Sequence, residues 1–355
     1  MNIEKLVRPH IRDMQPYRSA RDEFDGKADV FLDANENSLG SATSESYNRY
    51  PDPLQRDVKQ KLAELKGVKP EEIFLGNGSD EPIDLLFRAF CEPKRDHVIT
   101  MPPTYGMYQV SANLNQVKIV PVPLTDEFQI NVGEVIGAFR PGTKITFICS
   151  PNNPSGNLLS IASIRKILEK APGLVVVDEA YVDFSPEGSM LPHLADYPNL
   201  IVLQTFSKAW GMAGLRLGMA FAQPEIIEIL NKIKPPYNVN TLTQQKALEA
   251  LEEHEKVLGY VDTLVTSRNE LANQLEKLDM VEKVYPSDAN FLLVRVDDAP
   301  RRYHQLINEH QIVVRNRSNL ALCEGCLRIT VGTAAENDAL LTALSSLGAG
   351  SAEVN

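Results

Sequence analysis

The sequence predicts an α/β protein: a large domain with a mostly parallel sheet flanked by helices, joined to a smaller α+β domain. Three observations carry this expectation. Short apolar runs alternate with helix-spaced segments up to about residue 240, a strand, glycine turn and helix follow directly in "EIFLGNGSDEPIDLLFRAF", and the texture changes near Asn240. At 355 residues the chain is also long for one core. The expected division is an N-terminal arm over 1–34, a large domain over 35–239 and a small C-terminal domain over 240–355.

After the polar arm and "LDANEN", the segment "PLQRDVKQKLAELKG" reads as a helix. In "EPIDLLFRAF", Ile83, Leu86, Phe87 and Phe90 fall at i, i+3, i+4 and i+7, the spacing of one helical face. Strands are expected in "HVITMPPTYG", "VKIVPVPL", "KITFICSPNNPSG", "LVVVDEAYVDF", "LIVLQTFSKAWG" and "LRLGMAFA", several separated by helical stretches such as "SIRKILEKA". Beyond Asn240, a long helix through "TLVTSRNELANQLEKL" leads to strands in "EKVYPSDANFLLVRV" and "CLRITVGT".

Composition excludes several classes of function. A net charge of -11 with no basic block disfavours nucleic acid as a partner. The start "MNIEKLVRPHIRDMQPY" lacks a signal-peptide core and no apolar run is long enough to span a bilayer, so a cytoplasmic protein with no membrane partner is expected. Of the four cysteines only Cys323 and Cys326 form a C-x-x-C pair, without a second pair or a neighbouring histidine. They read as reduced core or loop residues, and no metal is expected. The absence of H-E-x-x-H and G-x-S-x-G removes metalloprotease and serine-hydrolase readings, and the missing G-x-G-x-x-G disfavours a nicotinamide dehydrogenase.

In open α/β sheets, ligands sit where the chain leaves the carboxyl ends of the strands. Such ends are expected at Gly76 to Asp80, Tyr105, Asn152 to Gly156, Asp178 to Tyr181 and Thr205 to Lys208, with Arg216 close behind. The "GNGSD" turn opens a helix, whose N–H groups and dipole suit a phosphate. Its plainer reading is an N-cap, with Ser79 or Asp80 accepting from the first turn and Pro82 tolerated there. Thr205, Ser207 and Arg216 add two hydroxyls and a cation. Asp178 follows "LVVV" and is costly to ionise unless a cation meets it, and Lys208 follows a buried strand where a lysine is unusual. Carboxylate for a pyridinium, lysine for an aldehyde and a phosphate cradle are the three grips of a pyridoxal phosphate site.

The motifs "SPNNPSG", "DEAYVDF" and "SKAWGMAGLRLG", in this order and spacing, resemble those of fold type I pyridoxal-phosphate aminotransferases. With "LDANEN", "NRYPDP", "GNGSDE", "PPTYGMY", "DANFLLV" and "CLRITVGT", the chain is similar to the histidinol-phosphate aminotransferase family in particular, from about Tyr17 to Thr333. Ser155 stands where that family often has threonine and Trp210 where phenylalanine is frequent, and neither position supplies a group the chemistry requires.

The resemblance implies that Lys208 is the Schiff-base lysine and Asp178 the partner of the pyridine nitrogen. It assigns the ring hydroxyl to Asn153 and Tyr181, the ring face to Tyr105, and the phosphate to Ser79, Asp80, Thr205, Ser207 and Arg216. A tyrosine matching Tyr50 reaches that phosphate from a neighbouring subunit, which implies a homodimer with shared active sites. Histidinol phosphate and 2-oxoglutarate are the implied substrates, with Tyr17, Asn35, Tyr50, Arg315 and Arg328 toward the donor. Arg317 reads instead as a solvated loop arginine. Rival readings are an aromatic amino-acid aminotransferase, a phosphothreonine-type decarboxylase and a non-enzymatic pyridoxal-phosphate-binding regulator, although the arm before Tyr17 is too short for a DNA-binding domain.

Overall fold

The larger sheet is built from β1 (Ile73–Asn77), β2 (His97–Thr100), β3 (Lys118–Pro121), β4 (Thr143–Cys149), β5 (Leu174–Asp178), β6 (Leu200–Thr205) and β7 (Leu217–Phe221) in a computed structural model that describes residues 2–17 and 28–349. Part of the expected N-terminal arm and the last six residues lie outside the described residues. The strand order is β1-β7-β6-β5-β4-β2-β3. β2 pairs in parallel with β3 and β4, as do β4 with β5 and β5 with β6, whereas β7 is antiparallel to both neighbours. Only residues 206–216 join β6 to β7, too few for the helical crossover that a parallel return needs. The start of β7 therefore lies beside the end of β6, with Thr205 paired to Gly218.

Both faces of this sheet are covered, which is why β5 and β6 are apolar runs without alternation. Val175, Val177, Leu200 and Val202 pack into one core, while Leu174, Val176, Ile201 and Leu203 pack into the other. The second core also receives Ile83, Leu86, Phe87 and Phe90 from the helix Asp80–Phe90. This packing fixes the helix N-terminus at the carboxyl edge of the sheet.

The smaller sheet comprises β8 (Val281–Val284), β9 (Phe291–Val296), β10 (Arg315–Asn316) and β11 (Cys326–Thr330), all antiparallel in the order β10-β11-β9-β8. Helices His254–Leu275, Ala299–His310 and Ala334–Ala349 cover it. The turn between β8 and β9 docks on the loops of the larger sheet. There Asp288 donates its N–H to the Gly156 carbonyl at 2.8 Å, and its carboxylate accepts from the Leu158 N–H at 2.7 Å. A Cβ on Gly156, whose φ is +86°, would stand 2.5 Å from Ser287 Oγ, so this contact requires glycine. Among the described residues no helix is long and apolar enough to cross a membrane.

Candidate active site

β1 runs into the "GNGSD" turn, where Gly78 has φ +73° and donates its N–H to the Arg216 carbonyl at 2.7 Å. A Cβ at Gly78 would stand 2.6 Å from Arg216 Nη2, so the guanidinium lies directly over bare backbone. Gly218 on β7 is as constrained, since a Cβ there would stand 2.2 Å from the Ser79 nitrogen. Close packing of β7 on this turn is what brings Arg216 to the helix N-terminus.

The capping reading of Ser79 and Asp80 is corrected by the structure. Ser79 makes no side-chain capping bond, and the Asp80 carboxylate turns across the cleft to accept from the Tyr105 hydroxyl at 3.0 Å, 3.6 Å from Arg216. Orienting Tyr105 and Arg216 competes with capping for a short acidic side chain. What these residues offer a phosphate is therefore backbone N–H and the Ser79 hydroxyl, not the Asp80 carboxylate.

Asp178 ends β5 at 2% exposure. Its carboxylate accepts from the Tyr108 hydroxyl at 2.7 Å and the Ala180 N–H at 3.2 Å. Burial nevertheless lifts its pKa to about 6, outweighing both bonds. Lys208, beyond the end of β6, has its Nζ 5.4 Å from the Tyr181 ring centroid. Burial lowers its pKa, the Arg328 cation adds to that, and Asp178 opposes it. Asn153 donates to the Tyr181 hydroxyl at 3.3 Å and accepts from Arg328 Nη1 at 2.6 Å. The Thr205 hydroxyl accepts the Ser207 N–H at 3.1 Å and lies 3.0 Å from the Ser207 hydroxyl.

Ten residues singled out in the sequence thus line one cleft: Ser79, Asp80, Tyr105, Asn153, Asp178, Tyr181, Thr205, Ser207, Lys208 and Arg216. Arg328 joins them through Asn153. Arg315 pairs opposite Arg328 on β10 but is exposed. The single chain does not bring Tyr17, Asn35 or Tyr50 to this cleft. Asn35 and Tyr50 line a separate one, where Tyr50 stacks on Tyr237 with centroids 4.4 Å apart, and Tyr17 is 75% exposed.

Two residues near the site were missed in the sequence. Tyr108 was the second tyrosine of "PPTYGMY", placed on the helix Met107–Leu114 so that its ring stacks on Phe147 at 4.7 Å and its hydroxyl meets Asp178. Arg317 is half-buried, not solvated, because β10 carries it back along β11.

These residues fit pyridoxal phosphate. A buried carboxylate with a raised pKa awaits a cation, a half-buried lysine stands beside a hydrogen-bonded Tyr181–Asn153 pair, and a glycine turn lies beneath an arginine. Fold and site together define a pyridoxal-phosphate-dependent transferase of the aminotransferase type. Residues 23–344 match the model of the family described as aminotransferase class I and II, and the chain belongs to that family. It is 54% identical to the histidinol-phosphate aminotransferase of Cytophaga hutchinsonii, over 97% of this chain and 99% of that protein. Identity to the histidinol-phosphate aminotransferase of Parabacteroides distasonis is 56%, covering 98% and 99%. The crystal structure of histidinol-phosphate aminotransferase from Sinorhizobium meliloti in complex with pyridoxal-5'-phosphate superposes with a TM-score of 0.80 at 25% identity, covering 89% of this chain and 90% of that one.

Proposed function

We propose that this chain moves the amino group of L-histidinol phosphate to 2-oxoglutarate, giving imidazole-acetol phosphate and L-glutamate, a step of histidine biosynthesis. The amino-transfer chemistry rests on one observation: Lys208 and the buried Asp178 face a single cleft. The choice of donor is supported by relatives of that name at 54% and 56% identity over nearly the whole chain.

Pyridoxal phosphate, when bound, supplies an aldehyde that takes up the amino group and a ring that accepts the electrons left as the substrate proton departs. Asp178 would hold a proton at the ring nitrogen, and Asn153 and Tyr181 would hold the ring hydroxyl. Tyr105, oriented by Asp80, would take the ring face. Backbone N–H groups at Ser79 and Asp80, with Thr205, Ser207 and Arg216, hold the phosphate. Lys208 would hold the cofactor through its amine, and would be placed to accept the proton of the amine-bearing carbon. Its lowered pKa leaves more of the amine neutral and able to accept a proton. Arg328 and Arg315 receive the donor's phosphate.

We further infer a homodimer with shared sites. Val30, Leu32 and Leu39, on the segment that carries Asn35, are 72%, 84% and 98% exposed, apolar side chains that a second copy would cover. Through that interface Tyr50 reaches the partner's cofactor phosphate, and Asn35 and Tyr17 contribute to the donor pocket. A division at residue 240 separates the cofactor grips from Arg315 and Arg328. A cytoplasmic location suits the four buried, unpaired thiols.

Steady-state kcat/KM for histidinol phosphate, histidine, phenylalanine and phosphothreonine tests the donor. The expected order places histidinol phosphate first by at least about tenfold, the effect of one charge-assisted contact. Preference for phenylalanine would establish the aromatic aminotransferase reading instead, and carbon dioxide release from phosphothreonine the decarboxylase reading.

A further inference from the structure

Three arginines meet on one face of the smaller sheet, and the function proposed above uses only two. Arg315 stands opposite Arg328 and Asn316 opposite Leu327 in the β10–β11 ladder. The ladder runs one residue further, the Arg317 N–H donating to the Cys326 carbonyl at 2.9 Å. Side chains two apart along a strand share a face, so Arg317 projects on the side of Arg315 and Arg328. That side faces the cofactor cleft. The Arg328 guanidinium lies 5.3 Å from the Phe291 ring centroid, and Phe291 packs edge-on against Tyr181 with centroids 5.0 Å apart.

The protein itself supplies this cluster with little counter-charge. Among the described residues no carboxylate pairs with Arg315, Arg317 or Arg328, and Arg317 Nε is buried with no hydrogen-bond partner. Burial lowers the Arg317 pKa, the cations of Arg328 and Arg315 lower it further, and Tyr181 lies close enough to oppose them. A buried donor without a partner and three uncompensated cations on one face are costly unless a ligand completes them. Arg317 is also less exposed than Arg315, so less side-chain freedom is lost when it binds. A phosphate monoester dianion has three terminal oxygens, enough for three guanidiniums, whereas a carboxylate has two and half the charge.

We propose that Arg317 is a third ligand of the donor's phosphate and sets the preference for a phosphorylated donor over the free alcohol. This rests on the reading of the donor given above. Arg317 supplies N–H groups from the buried side of the clamp, Arg328 from beside Asn153 and Arg315 from the exposed rim.

The test compares wild type, Arg317→Gln and Arg317→Lys with histidinol phosphate and with L-histidinol, which has no anion, and measures inhibition of the L-histidinol reaction by inorganic phosphate. For Arg317→Gln the expected loss is roughly tenfold or more in kcat/KM for histidinol phosphate, carried by KM, with L-histidinol changed less than about twofold. Inhibition by inorganic phosphate weakens in parallel. Arg317→Lys keeps the charge without the planar fork and loses a smaller factor, again only with the phosphorylated donor. If the Gln variant fails to fold, the Lys variant carries the same comparison. Equal losses for both donors, or no loss while wild type keeps its phosphate preference, would overturn the role of Arg317 alone. A wild type that does not prefer histidinol phosphate would overturn the donor reading and this assignment together.

Discussion

At the scale of single residues, Asp178 shows how a cost in the empty fold becomes useful when a ligand arrives. Its folded pKa, about 6, stands above the ordinary value near 3.8. A raised folded pKa means that the contribution favouring the fold is complete below about pH 4 and is lost as pH rises through 6. Above that pH the apoprotein carries a buried charge costing on the order of 3 kcal/mol, which the pyridinium of the proposed assignment would offset. Asp178→Asn is therefore expected to melt higher than wild type as apoprotein at pH 8, with the difference vanishing toward pH 4, and to bind pyridoxal phosphate more weakly. A variant that melts lower at pH 8 would mean that Tyr108 and Ala180 already compensate the charge. The sequence made Asp178 legible because an acid after "LVVV" has no water to turn to. Tyr108 was not legible, because its role depends on a helix rotating one of two similar tyrosines onto Phe147. Arg317 was within reach of i, i+2 alternation, had "VVRNRSN" been read as a strand.

Among elements, the return of β7 beside β6 does most to build the site, since it sets Arg216 over Gly78. "LRLGMAFA" was readable as a strand, but its direction follows from the length of the connection. β10 was missed because two polar residues have no apolar periodicity, and only their pairing with β11 defines them. The segment around Tyr50 has no regular structure and is held by its own polar bonds. Glu36 accepts the Tyr50 N–H at 2.7 Å and pairs with Arg49 at 2.7 Å, leaving Tyr50 against Tyr237 at 52% exposure. In the proposed dimer, a tyrosine held this way would be offered to the second chain's site. Mixing Lys208→Ala with an impaired Tyr50→Ala variant under subunit exchange is expected to restore activity, up to about a quarter of wild type, because each mixed dimer has one intact site. No recovery despite demonstrated exchange would place the action of Tyr50 within its own chain.

For the whole molecule, strand and helix order was legible because strands buried on both faces are apolar runs and the helix Asp80–Phe90 shows its core face in four residues. The cofactor cleft was legible for a related reason: parallel strands deliver their carboxyl ends to one edge, so turns scattered through the sequence had to meet. Asn35 and Tyr50 line a different cleft and Tyr17 is exposed, so strand order alone gave no reason to join them to this site. The central claim is that Lys208 in this cleft carries pyridoxal phosphate. Borohydride reduction of the holoenzyme, followed by digestion and mass spectrometry, tests it directly. The result expected is one cofactor-derived mass increment, on the peptide containing Lys208, absent in Lys208→Ala. An increment on another lysine, or one that persists in that variant, would contradict it.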